Sequence, residues 1–148
     1  MEKGVRKWKE GVQGKSTLRW LSHKEKPKKE WCYTGSWSSR LLMKAQLGIL
    51  ETNDRNWEDG ADRSCRSCGV VENMEHVMLE CDEYEGARKR ADLRNGAILG
   101  VGKWEEIKQE ESMGMDWILG FKGDGETRME LMDSTKEMLS EMWQRRVN

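Results

Sequence analysis

The window CRSCGVVENMEHVMLEC, residues 65–81, constrains this chain more than any other stretch. Three of the four cysteines and one of the two histidines fall inside it. The order is Cys65, two residues, Cys68, seven residues, His76, four residues, Cys81. Sulfur and imidazole ligands in fours suit zinc, which binds them tetrahedrally. A CxxC pair chelates one ion when a tight turn brings its thiolates together. Gly69 fits such a turn, because glycine adopts positive φ without a steric cost. The second half of the window predicts a short helix. Asn73 is its candidate cap, and Val77, Met78 and Leu79 give it an apolar face. His76 and Cys81 are five apart, which on a regular α-helix sets their side chains about 140° apart. The helix is therefore expected to loosen near Glu80 or Cys81.

Three other readings of the cysteines compete: a redox pair, structural disulfides and chance clustering. A redox CxxC normally follows a strand in a βαβ unit, and no such pattern precedes Cys65. Structural disulfides need an oxidising compartment. With no recognisable secretory leader, the expectation is an intracellular protein of nucleus or cytoplasm, where disulfides do not persist. Zinc is the expected cofactor, with Cys65, Cys68, His76 and Cys81 as ligands. Cys32 is about 33 residues from Cys65 and is expected to be a buried or unreactive thiol.

Hydrophobic and charged residues each make up 36% of the 148 residues, so the core is expected to be small. A metal is a common staple for such a core. A structural zinc site contributes about 10–16 kcal/mol in peptides, against about 5–15 kcal/mol for the net stability of a whole domain. No apolar run approaches the roughly 18 residues needed to cross a membrane, so no membrane partner is expected.

Charge is segregated along the chain. Residues 1–30 hold ten basic and four acidic side chains, a net +6, whereas residues 51–85 hold three basic and eleven acidic, a net −8. Phosphate contacts are therefore expected from the basic arm (Lys3, Arg6, Lys7, Lys9, Lys15 and Arg19) and from the cluster Arg88, Lys89, Arg90 and Arg94. Trp8 and Trp20 interleave the arm, a composition that suits a single nucleic-acid strand. Gly14-Lys15-Ser16 resembles the end of a P-loop, but Lys9 stands where its first glycine belongs, so nucleotide binding is discarded.

Three segments are expected: a basic, flexible arm over 1–30, a helix plus metal domain over 31–95, and a helical segment over 96–148. Residues 38–50 read as a helix capped by Ser36, Ser38 or Ser39. Residues 84–94 read as a helix that stops at Asn95-Gly96, and residues 104–110 as another. Residues 126–147 read as the longest helix, with Met129, Met132, Leu139 and Trp143 on one stripe. The expected fold class is mainly α: a small helical domain organised round one CCHC site with a short CxxC turn or hairpin.

Residues 18–84 resemble the reverse-transcriptase zinc-binding region at the C-terminus of non-LTR (LINE-type) retrotransposon polyproteins. The resemblance is carried by SSRLLMKAQLGIL, by a polar loop with Trp57, and by CRSCGVVENMEHVMLECDEY. Within the last stretch Cys65, Cys68, Gly69, Glu72, His76 and Cys81 match the family pattern, with Tyr84 and Arg88 in familiar places. The tail EMLSEMWQRR is also similar to such C-termini. The resemblance implies a zinc-binding module that follows the polymerase and helps to engage template RNA or target DNA. It implies the remainder of a polyprotein as a partner, no small-molecule substrate and no catalysis. The sequence itself holds no paired polymerase aspartates and no endonuclease constellation. A protein-interaction module and a non-functional remnant of an element are the alternative readings.

Overall fold

The computed structural model of the chain describes residues 34–110 and 114–147. Five α-helices are described: α1 (Trp37–Leu47), α2 (Glu85–Leu99), α3 (Val101–Gln109), α4 (Met115–Ile118) and α5 (Gly125–Val147). Between α1 and α2 lies the metal-type window. It holds a 3₁₀ turn at Asn53–Arg55, a π-turn at His76–Glu80 and a second 3₁₀ turn at Asp82–Tyr84. The described residues contain no strand, only an isolated antiparallel bridge between Ser64 and Val71. The fold is mainly α, with a cysteine–histidine group of which Cys65, His76 and Cys81 are buried.

Helix α1 begins where Ser36 accepts the Ser39 N–H and ends where Gly48 turns left-handed at φ +72°. There the Gly48 N–H donates to Ala45 and the Ile49 N–H to Lys44, which satisfies the last carbonyls. The helix is thus shorter than the expected 38–50, because Gly48 serves as its stop.

The expected stop of α2 at Asn95-Gly96 is overturned. The helix runs on to Leu99 and is halted by Gly100 at φ +93°. Asn95 and Gly96 are both buried, and a Cβ at Gly96 would stand 3.5 Å from Val101 Cγ2. Packing against the start of α3 therefore outweighs the local turn signal of Asn-Gly. Helix α3 likewise starts at Val101, earlier than the expected residue 104. The expected segment boundary at residue 95 falls inside α2.

Helix α5 is the spine. It packs most extensively against α2 and α1, and α4 also lies on it. Its buried face holds Leu131, Met132, Met138, Leu139, Met142 and Trp143. Val77, Met78 and Cys81 of the π-turn region join the same cluster as Leu42 and Ala45 of α1 and Ala91 of α2. The window is therefore built into the core. Two buried side-chain bonds pin the end of α4: Gln46 Nε2 donates to the Leu119 carbonyl at 2.7 Å, and Thr135 Oγ1 to the Ile118 carbonyl at 2.6 Å. No helix among the described residues is long and apolar enough to cross a membrane.

Gly120 sits at φ +81° with Met132 Sδ 2.5 Å from where a Cβ would be. Gly120→Ala is expected to cost about 2 kcal/mol through backbone strain and overpacking. Gly60→Ala, at φ +76° with open space around it, is expected to cost about 1 kcal/mol. Urea unfolding of the two variants checks the order; equal losses would refute the packing argument.

Candidate metal centre

The first two cysteines are placed by a tight hairpin. The Cys65 N–H donates to the Val70 carbonyl at 2.6 Å, and the Gly69 N–H returns to the Cys65 carbonyl at 2.8 Å. Gly69 takes φ +76°, the conformation a β-carbon would resist. The other two ligands are placed by a short helical turn. Its cap is Asn73, whose Oδ1 accepts the His76 N–H at 2.8 Å.

The five-residue spacing from His76 to Cys81 is resolved by a π-turn. The Cys81 N–H donates to the His76 carbonyl at 2.7 Å, a bond over five residues rather than four. Cys81 then leaves the helix at φ −66°, ψ 125°. The wider turn brings its sulfur to the same side as the imidazole.

The ligating atoms of Cys65, Cys68, His76 and Cys81 all lie within 4.8 Å of one another. Cys65 Sγ stands 3.6 Å and Cys68 Sγ 3.9 Å from Cys81 Sγ, far beyond a disulfide bond. All three thiols are free, and Cys65 and Cys81 are buried. Both nitrogens of His76 are buried without a hydrogen-bond partner among the described residues, and Glu80 Oε2 stands 3.6 Å from Nδ1. Four soft donors converging on one point, one of them an unpaired buried imidazole, form a group that can hold a metal ion.

The electrostatics of the sulfurs agree with this. Burial pushes the Cys65 thiol up, but the Cys68 N–H, the His76 ring, the Ser67 N–H and the Cys81 sulfur outweigh it and bring it down to about 7. Burial pushes the Cys81 thiol up to about 12. The Glu83 N–H opposes that rise, and the Cys65 and Cys68 sulfurs add to it. The protein alone favours a thiolate at Cys65 and resists one at Cys81. A dication among the sulfurs reverses that resistance, because it favours every deprotonated ligand at once.

A polar cleft of about 390 Å³ opens beside the group. Cys65, Cys81, Glu72, Tyr84, Arg145 and Arg146 are among its lining residues. Glu72 is 4% exposed and stands between the two ligand pairs. Its Oε1 accepts the Asn53 N–H at 2.9 Å and Arg146 Nη2 at 2.7 Å. In the sequence Arg146 stands out only as part of the tail EMLSEMWQRR. The pairing joins residues 74 apart in the chain, and no local pattern encodes it.

The expected nucleic-acid residues divide into two sets. Lys3, Arg6, Lys7, Lys9, Lys15 and Arg19 lie outside the described residues, as does Cys32. The cluster on α2 is described. Arg90 pairs with Glu141 at 2.5 Å, and Arg94 pairs with Glu137 at 3.2 Å and with the Ser134 carbonyl at 2.9 Å. Lys89 is exposed and pairs along its own helix with Glu85 at 3.3 Å, and Arg88 Nη1 reaches the Val77 carbonyl at 3.5 Å. Arg90 and Arg94 thus clamp α2 to α5. The chain matches no protein-family model, no curated protein and no solved structure.

Burial pushes the Glu72 carboxyl up, but the Arg146 hydrogen bond, the Asn53 N–H and the Arg146 charge outweigh it and hold it below its ordinary value of 4.5. A depressed carboxyl contributes stability above its unfolded pKa and loses it as the pH falls through the folded one. The stability gap between wild type and Glu72→Gln is therefore expected to be constant above about pH 5 and to shrink below about pH 4.5. Urea unfolding across that range measures it, and a gap indifferent to acid would refute the assignment.

Proposed function

We propose that this chain is a zinc-stabilised nucleic-acid-binding module. One observation carries the zinc: the sulfur spacings of 3.6 and 3.9 Å bracket the edge of about 3.8 Å expected for a tetrahedron with zinc–sulfur bonds of about 2.3 Å. Cys65, Cys68 and Cys81 bind as thiolates and His76 as neutral imidazole. The four ligands fill the tetrahedron and leave no position for a reactive water, so the metal is structural and the module non-catalytic. Kinship with the zinc-binding region of LINE-type reverse transcriptases, and with it an intracellular place beside a polymerase, belongs to the same proposal and rests on the residues that carry the resemblance.

Nucleic-acid binding is assigned to the basic arm, with a net +6 over residues 1–30. Arg90 and Arg94 enter this reading as helix clamps, and Arg88 and Lys89 remain as secondary contacts. A second reading has its own observation in favour. Trp57, Val70 and Val71 are exposed on the acidic stretch, with Trp57 77% accessible. That surface suits a protein partner better than a phosphate backbone.

Zinc content by mass spectrometry is expected to give one ion per chain, with helical circular dichroism lost on chelation and in Cys81→Ser. No bound metal with an unchanged spectrum would overturn the zinc centre. Binding of single-stranded RNA or DNA is expected to weaken by more than about tenfold between about 50 and 200 mM salt, as displacement of counterions from several phosphates requires. Replacing Lys3, Arg6, Lys7 and Lys9 with Gln should flatten that slope. Absent or salt-insensitive binding would favour the protein-docking reading.

A further inference from the structure

The metal ligands span residues 65–81, yet the loop that carries them is gripped from the far end of the chain. Arg146 lies 65 positions beyond Cys81, in the last turn of α5. Its Nη2 donates to Glu72 Oε1 at 2.7 Å and to the Glu51 carbonyl at 3.3 Å. Its Nη1 donates to Tyr84 Oη at 3.3 Å. The guanidinium stands 5.1 Å from the centre of the Trp143 ring, which holds it from its own helix.

These contacts reach both flanks of the second ligand pair. Glu72 is four residues before His76 and four after Cys68, and Tyr84 is three after Cys81. The Glu72 main chain is also fixed: its N–H donates to the Arg63 carbonyl at 2.9 Å, and its carbonyl accepts the Asp54 N–H at 3.0 Å. A planar fork of donors lets one side chain hold an acceptor on each side, which a lysine ammonium does less well.

We infer that Arg146, acting through Glu72 and Tyr84, is a positioning residue of the metal centre, so that metal affinity depends on the C-terminal end of α5. This rests on the proposed metal centre. Groups hydrogen-bonded directly to metal ligands are typically worth about 10–100-fold in affinity, and Arg146 and Glu72, which hold the ligand-bearing loop one layer further out, belong at the low end of that range. By thermodynamic reciprocity, metal binding stabilises the docked end of α5 by the same factor. The 17-residue ligand window is therefore not the whole metal-binding unit.

The test uses the full chain and Co²⁺, titrated in competition with a chromophoric chelator. Wild type, Arg146→Met, Glu72→Gln and the double variant are compared, with Gly120→Ala as a variant that strains the fold away from the ligands. Arg146→Met and Glu72→Gln are each expected to weaken Co²⁺ binding by about tenfold. The double variant should be little worse than either single one, because both remove the same contact. The visible Co²⁺ bands should shift in these variants and stay unchanged in Gly120→Ala, whose affinity should fall within about threefold of wild type. Glu72→Gln is nearly isosteric and carries the test should Arg146→Met fail to fold. Stoichiometric binding by wild type with Arg146→Met and Glu72→Gln no weaker than Gly120→Ala would overturn this inference and leave the metal centre standing. No binding by wild type would overturn both.

Discussion

The rest of the structure depends on the confinement of three sulfurs and one imidazole within 4.8 Å of one another, with Cys81 fully buried. The main chain is bent to achieve it. A left-handed glycine closes the CxxC hairpin, and a π-turn spends one extra residue to rotate Cys81 inward. A π-turn is a rare local choice and gives up regular hydrogen bonding. Here it answers one geometric demand, that residues five apart in sequence face one point in space. The same backbone supplies N–H groups to the sulfurs of Cys65 and Cys81; at Cys65 they help bring the thiol down, whereas at Cys81 burial outweighs them.

The metal-type window is not an independent bead. Val77 and Met78 fall between His76 and Cys81, and both enter the core shared by α1, α2 and α5. Residues that hold the ligands and residues that hold the helices are thus interleaved along one turn. Ligand geometry and core packing are coupled by the covalent chain as well as by contact. A small core gains from this, because each fixed point of the loop also fixes a helix.

The sequence made the local parts legible and hid the long-range ones. The cysteine–histidine group is readable because the spacings that bring such side chains together are short. Helix α5 is readable because its apolar positions repeat along one face from Met129 to Trp143. The end of α2 is not, because Asn95-Gly96 is a stop signal in isolation, and only the packing of Gly96 beside Val101 overrides it. The surroundings of the basic cluster on α2 are hidden for a related reason. Glu141 and Glu137, which pair with Arg90 and Arg94, lie some fifty and forty residues later in the chain. Charge that is segregated along a chain can be matched across a fold, and composition alone cannot separate the two cases.

That matching narrows the functional argument. Exposed ion pairs contribute little, so Arg90 and Arg94 can exchange a carboxylate for a phosphate at small cost, but the acids beside them weaken the local attraction for an anion. The described surface near the metal group carries acids beside its arginines: Glu83 faces Arg145 at 2.9 Å, and Glu72 takes Arg146. On the proposed reading, the described helices therefore work as a mount. It orients the arm while its own charges hold its helices together. On the same reading, long-range attraction depends on the net +6 of residues 1–30, and a bound metal acts on it indirectly, by fixing the helices that follow.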